Sequence, residues 1–285
     1  MEDNTLRITV IGGDNRQKLL HEHLINQGYN SNQEAYNGSC NYKNISKSDV
    51  IILPTVATKD GFTLNAPECD EIVELDNLLD STKTCKHIVC GNLPQKYQKK
   101  ICDNGTQLFQ YTDNEIFKTL NAVPTAEGAI AIAIRETDKT ICGSKCLIIG
   151  NGCIGKALTN ILKGMGAIVT VSARKELDFS LLWADGTEYI NTNTLNEQEL
   201  SKFDIIFNTV PKRIISHKKI SELTKEHLII DLASIPYGFD HERKNELNCN
   251  LMLSSSLPAI YAPKTSAKAT QKVIENYLKE VVKNG

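Results

Sequence analysis

The sequence predicts an α/β protein of two parallel-sheet domains, an amino-terminal flavodoxin-like α/β domain followed by a doubly wound Rossmann domain. Three observations carry that expectation. Short apolar runs alternate with helical spacing in a βα rhythm along the chain. The hexamer GNGCIG, residues 150–155, closes one apolar run and opens a helix. With 285 residues, 41% of them hydrophobic and 23% charged, the chain is long enough for two cores and ordinary in composition.

The first run, LRITVIGG (6–13), is strand-long and ends in a glycine turn. RQKLLHEHLINQG (16–28) follows with helical spacing and a Gly stop. SDVIILP (48–54), KHIVCG (86–91) and QLFQYT (107–112) read as further strands, about four in this region. NAVPTAEGAIAIAIRET (121–137) reads as a helix with Pro124 in its first turn and Glu127 at its positive end. Its Ala/Ile run is apolar nearly all round, which predicts burial. The domain crossing is expected here, so residues 1–121 form the first domain and 122–265 the second. In the second domain KCLIIG (145–150), CIGKALTNILKGMG (153–166) and AIVTVSAR (167–174) make a βαβ unit. FDIIFNTVP (203–211), HLIIDLAS (227–234) and NLMLSS (250–255) are its later strands. SAKATQKVIENYLKEVVK (266–283) is an amphipathic helix, and residues 266–285 are expected to pack back on the first domain.

Composition excludes several classes. A net charge of -2 carries no footprint of a nucleic-acid or membrane partner. No apolar stretch approaches the roughly 18 residues that span a bilayer. The opening MEDNTLR is polar and acidic and predicts no secretory leader. The nine cysteines contain no CxxC pair, which predicts a cytoplasmic protein with packed, reduced thiols. No HExxH, no GxSxG and no His/Cys metal set is present, so no metal is expected.

The βαβ unit predicts a dinucleotide site. Gly150 permits the tight turn, Gly152 lets backbone approach a pyrophosphate, and Gly155 lets helix and strand pack closely. Asn151, Cys153 and Ile154 complete that turn, and the pyrophosphate is expected on the helix N-terminus. The next strand ends in Ser172, Ala173 and Arg174, followed by Lys175, with no acid for a ribose diol. A hydroxyl and two cations suit a 2′-phosphate, so NADP(H) is the expected cofactor. Thr209, Val210, Pro211, Leu232, Ala233 and Ser234 lie at two further strand ends and are expected to line the nicotinamide half. Asp231 is expected to bond nearby backbone N–H groups.

Three stretches point to an anionic substrate. In IGGDNRQ, the Gly12–Gly13 turn and Arg16 offer N–H groups and a cation. Asp14 either caps the helix or meets a ligand. VPTAEG places Thr125 and Glu127 at an expected buried helix start. SLPAIYAPKTSA holds Lys264 and Thr265 just before the last helix. The helix dipole disfavours a lysine there, which points to a carboxylate or phosphate partner. Of the six histidines none sits in a motif for a general base, and His241, in the charged DHERKNE, reads as a surface residue.

IGGDNRQ, VIILPTVAT (50–58), VPTAEGAI, GSKCLIIGNGCIGKAL, VSAR, DIIFNTVP, LIIDLAS and LPAIYAPKTSA, in this order, resemble the A-subunit family of dipicolinate synthases, and they span nearly the whole chain. The resemblance implies oxidation of a dihydrodipicolinate-type intermediate of the lysine pathway, or its hydroxy-tetrahydro precursor, to the dipicolinic acid of endospores. NADP+ takes the hydride, in the mother cell of a sporulating bacterium. It also implies a flavoprotein-like partner, the B component of the synthase. Homo-oligomerisation stays open. In the scheme built on it, Lys264 with the start of the last helix holds one substrate carboxylate. Arg16 and the Gly12–Gly13 turn hold the other. Glu127 accepts a proton through a carboxyl tuned by burial. The chain departs from the family pattern at Cys153, where an Arg is usual. RPGG becomes Ile235, Pro236, Tyr237 and Gly238, and GLPG becomes Ser256, Leu257, Pro258 and Ala259. These departures leave two further readings: a non-catalytic NADP-binding or scaffold subunit for the flavoprotein, and a diverged 2-hydroxyacid or amino-acid dehydrogenase.

Overall fold

A computed structural model describes residues 6–284. The opening MEDNT, part of the expected leaderless start, and Gly285 lie outside the described residues. The chain divides into two compact units, Met1–Leu120 with Pro263–Gly285, and Asn121–Ala262.

Unit 1 begins β1 (Arg7–Ile11), α1 (Asn15–Asn26), β2 (Asn30–Glu34), α2 (Tyr42–Ile45), β3 (Val50–Ile52) and α3 (Leu75–Asp80). It continues with β4 (His87–Cys90), α4 (Gln95–Asp103) and β5 (Gln107–Gln110). α5 (Glu115–Glu136) then leads into unit 2. Unit 2 runs β6 (Lys145–Ile149), α6 (Cys153–Gly164), β7 (Ile168–Ala173), α7 (Glu176–Ala184), β8 (Glu188–Asn191) and α8 (Glu197–Leu200). Next come β9 (Ile205–Asn208), α9 (His217–Ile220), β10 (Leu228–Asp231), β11 (Asn250–Leu253) and α10 (Leu257–Tyr261). α11 (Pro263–Asn284) returns to unit 1.

Both sheets are parallel throughout. The first has the order β2-β1-β3-β4-β5, the flavodoxin order, with its switch point between β1 and β3. The second has the order β11-β10-β9-β6-β7-β8, the Rossmann order, switching between β6 and β9. Parallel sheets are covered on both faces, which is why the strands read as continuous apolar runs. In unit 1, Ile8, Val10, Ile52 and Val89 face Leu20 and Leu24 of α1 and Val273, Ile274 and Leu278 of α11. Ile11, Ile51 and Ile88 belong to the opposite core, with Leu75, Leu78 and Tyr97. In unit 2, Ala126, Ala129 and Ala133 of α5 share a core with Ile148, Leu158 and Phe207. Leu147, Ile149, Ile206 and Ile229 fill the other face.

α11 is tied to unit 1 by polar contacts as well. Gln271 Nε2 donates to the Leu19 carbonyl (3.1 Å), and His23 pairs with Glu275. Tyr277 stacks on Phe109 with ring centroids 4.4 Å apart.

Three features differ from the expectations. β2 and β8 are strands that the apolar pattern did not reveal. α5 starts at Glu115, well before Pro124, which lies inside the helix. The Asn114 side chain caps it, accepting from Ile116 N (2.9 Å) and Phe117 N (3.3 Å). Pro124 has no N–H for the carbonyl four residues back, and the helix continues through it because its far half is packed in the core of unit 2. Among the described residues no helix is long and apolar enough to cross a membrane.

Candidate functional site

The turn between β6 and α6 is built by its glycines. Gly150 has φ +104°, and its N–H donates to the Ser172 carbonyl (2.9 Å). A side chain there would meet Thr209 and Val210. One at Gly155 would collide with the Gly150 carbonyl, so helix and strand close to contact distance only with glycine. Gly152 is different: an added methyl would have nothing within 4 Å. It caps α6, whose first intrahelical bond runs from Lys156 N to the Gly152 carbonyl (2.9 Å). The N–H groups of Ile154 and Gly155 precede that ladder in the first turn of α6. An open approach with donors at a positive helix end suits a phosphate group. Asn151 is held through its side-chain amide, which donates to Asp178 (3.1 Å).

At the end of β7 the structure corrects one expectation. Ser172 does not offer its hydroxyl to a ligand: it is fully buried and shares a 2.6 Å hydrogen bond with Thr192. The parallel sheet is covered on both faces, so Ser172 is buried whichever way the pleat turns it. Ala173 is buried too, while Arg174 and Lys175 are exposed just past the strand's carboxyl end.

The ends of β9 and β10 are joined by a buried network. Asp231 is 0% exposed and accepts hydrogen bonds on both oxygens. Oδ1 takes Asn208 Nδ2 (2.7 Å) and Ala233 N (3.2 Å); Oδ2 takes Gly238 N (2.9 Å), Phe239 N (3.2 Å) and His241 Nε2 (2.9 Å). A side chain at Gly238 would collide with Asn208, so the loop can approach only as glycine. His241 is therefore not the surface residue its charged neighbours suggested. Its side chain is 14% exposed and anchored to Asp231. The partner ten residues earlier, across a turn, is invisible to spacing rules. Thr209 donates its hydroxyl to the Ile149 carbonyl (2.9 Å). Val210 and Leu232 are half-buried, Ala233 is buried, and Pro211 and Ser234 are exposed. Tyr237 and Ser256, where the family pattern carries glycine, keep left-handed backbones with φ of 62° and 57°.

In unit 1 the turn after β1 also differs from its reading. Gly12 N donates to the Glu34 carbonyl (2.9 Å) and Gly13 N to the Asn65 carbonyl (2.8 Å). Both N–H groups are thus engaged and do not serve an anion. The glycines are there for their positive φ, 60° and 81°. Arg16 forms a two-point pair with Asp14, Nε to Oδ1 (2.9 Å) and Nη2 to Oδ2 (2.7 Å). Asp14 also caps α1 by accepting from Arg16 N (3.0 Å). Burial would push the Asp14 carboxyl up, but the hydrogen bonds and charge of Arg16, with Lys59, outweigh it and hold it below its ordinary value. Lys264 and Thr265 are exposed in the first turn of α11.

Two expected roles on α5 lose their basis. Thr125 is buried and its hydroxyl donates to the Asn121 carbonyl (2.7 Å), a back-bond within the helix. Glu127 is exposed at mid-helix, not at a buried helix start, so the burial that was to tune it as a base is missing. Among the described residues no group of three His, Cys, Asp or Glu side chains could hold a metal ion.

Fold and strand-end turns together define the architecture of a two-domain Rossmann-type dehydrogenase. The D-lactate dehydrogenase of Salmonella shares it, with a TM-score of 0.63, 14% identity and 95% of each chain covered. The family is narrower than that class. Residues 7–112 match the N-terminal domain of the dipicolinate synthase A-subunit. The dipicolinate synthase A-subunit of Bacillus subtilis (strain 168) is 31% identical over 295 residues, 97% of either chain. The crystal structure of the dipicolinate synthase A-subunit from Bacillus subtilis gives a TM-score of 0.90 at 27% identity, covering 99% of this chain and 98% of that one. The chain belongs to the A-subunit family of dipicolinate synthases.

Proposed function

We propose that this chain carries out the oxidation that forms dipicolinate. A dihydrodipicolinate-type ring gives up a hydride to NADP+ and one proton to solvent, and becomes the aromatic pyridine dicarboxylate. The observation that carries the reading is Gly152, open to approach at the head of α6 inside an otherwise close-packed turn. Bound NADP+ supplies the hydride acceptor. The turn from Gly150 to Gly155, with Asn151, Cys153 and Ile154, would hold its pyrophosphate at the N-terminal end of α6, Gly150 shaping the turn and not donating. Arg174 and Lys175 take the 2′-phosphate, and the absence of an acid at the end of β7 supports NADP(H) over NAD(H). Thr209, Val210, Pro211, Leu232, Ala233 and Ser234 line the nicotinamide half. Lys264 and Thr265 hold one substrate carboxylate, and Arg16, already oriented by Asp14, meets the other. Aromatisation is downhill, so positioning is the main contribution of the protein. The flavoprotein-like B component of the synthase is the partner, in the cytoplasm of a sporulating mother cell.

Two measurements test this. NADPH binds more tightly than NADH, and Arg174→Ala removes most of that difference; equal dissociation constants for the two cofactors in the parent chain would end the NADP(H) assignment. Dihydrodipicolinate with NADP+ produces NADPH absorbance, and the rate drops at least about tenfold in Lys264→Ala, the effect of losing one charge-assisted bond. Absence of turnover both with and without the flavoprotein-like partner favours a binding-only role.

A further inference from the structure

We propose that Gln17 is a carboxylate-recognition residue of unit 1, its side-chain amide donating to a ligand oxygen. The proposal rests on the reading that this chain takes a small dicarboxylate. Gln17 is 2% exposed, and its Nε2 has no hydrogen-bond partner. A buried donor left unmade costs about 1–3 kcal/mol. Native proteins keep few such groups, and each one calls for a cause.

The position of Gln17 supplies one. It is the third residue of α1, at the helix end that follows the carboxyl end of β1. Its aliphatic stem folds back over Gly13, occupying the place a Gly13 side chain would need. The amide therefore lies at the β1–α1 turn. That turn flanks the switch point between β1 and β3, where ligands bind in open α/β sheets.

The other donors of the turn narrow the choice. The N–H groups of Gly12 and Gly13 are taken by Glu34 and Asn65. Asp14 takes Nε and Nη2 of Arg16, which leaves Nη1 on a guanidinium held in a fixed direction. Asp14 also offsets the charge of Arg16, so the turn has little net charge to attract anions without selection. What it offers is one neutral amide donor on Gln17 and, on the preceding residue, the remaining edge of the Arg16 guanidinium. A single carboxylate, with two oxygens that only accept, fits that pair. The amide is shielded from water in this conformation. Rotation about the last side-chain torsion of Gln17, broad and low in cost, turns the donor to either side of the amide.

The test uses the full chain and the variant Gln17→Met, similar in length but without a donor. Thermal unfolding and calorimetry are run with pyridine-2,6-dicarboxylate, pyridine-2-carboxylate and succinate. The expected result is a free variant that melts higher than the parent, because the orphan donor is gone, yet binds pyridine-2,6-dicarboxylate at least about fivefold more weakly. Binding within about twofold of the parent overturns the Gln17 assignment and leaves the dipicolinate reading standing. A variant that melts lower overturns it as well, since the amide is then bonded in the free protein. If the parent ignores pyridine-2,6-dicarboxylate but binds succinate in a Gln17-dependent way, the Gln17 assignment stands and the dipicolinate reading fails. If none of the three binds the parent, the Gln17 assignment falls.

Discussion

At the scale of single residues, Asp231 is one whose removal carries a large cost. It is fully buried and satisfies five donors, three of them backbone N–H groups of the loop after β10. Asp231→Ala leaves those donors without an acceptor, and each unmade buried bond costs about 1–3 kcal/mol before relaxation. We expect a loss of at least about 3 kcal/mol, or roughly 6–12 °C in Tm for a unit of this size, by calorimetry. A loss below about 1 kcal/mol would show that the loop re-forms its bonds with water. The same residue marks a limit of sequence reading. That Asp231 would bond nearby N–H groups could be argued from its type and place. That His241 would share it could not, because the contact depends on how the intervening loop folds. Ser172 and Thr125 show the limit from the other side. Ser172 stands out for its hydroxyl and Thr125 for its place beside Glu127, yet both hydroxyls are spent within the protein.

At the scale of elements, the strands read from the sequence are those with apolar runs, including the edge strands β5 and β11. β2 and β8 were missed because NSNQE and EYIN have few apolar residues to repeat. Both lie at sheet edges, and backbone pairing on one side holds them without a buried apolar face. The true start of α5 was legible in principle from Asn114, a good cap, but Pro124 gave the stronger and misleading signal. The packing of α1 and α11 in unit 1 also has a consequence for pH. His21 Nδ1 is hydrogen-bonded to the Ser31 hydroxyl (2.9 Å), and His87 Nδ1 to the Tyr277 hydroxyl of α11 (2.9 Å). Burial holds both rings below the ordinary histidine value of 6.5; Lys86 adds to the effect at His87, and Glu22 opposes it at His21. The unfolded chain therefore takes up these protons first as pH falls. Stability from the neutral rings is full above about pH 6.5 and is lost as pH drops through the folded values. Asp14 and Asp49, held low beside Arg16 and Arg7, act in the same sense only at more acid pH. Unit 1 is expected to melt lower at about pH 5 than at about pH 7, and His21→Gln with His87→Gln should flatten that slope. A melting temperature that rises on acidification would contradict the assignment.

At the scale of the whole molecule, the chain order separates two kinds of dependence. Unit 2 is one continuous stretch, Asn121–Ala262, whereas unit 1 is made from both ends of the chain. The cores of unit 2 draw on α5 from Ala126 onward and on β6 to β11, all within that stretch. Its candidate phosphate turn, its exposed Arg174 and Lys175, and the Asn208–Asp231 network also lie inside it. A chain of about 140 residues is large enough to bury a core of its own. We therefore expect residues 121–262 alone to fold cooperatively and to bind NADPH within about threefold of the full chain, a difference under about 1 kcal/mol. Unit 1 should behave otherwise. A chain ended at Ala262 loses Ala269, Val273, Ile274 and Leu278, which fill the core between α1 and the first sheet. Each fully buried aliphatic side chain contributes about 1.5–3 kcal/mol, so their joint loss is comparable to the whole stability of a domain. In the truncated chain the unit 1 transition should disappear from calorimetry while NADPH binding persists. If NADPH binding vanishes together with unit 1, the cofactor site depends on more than the stretch that carries its glycines.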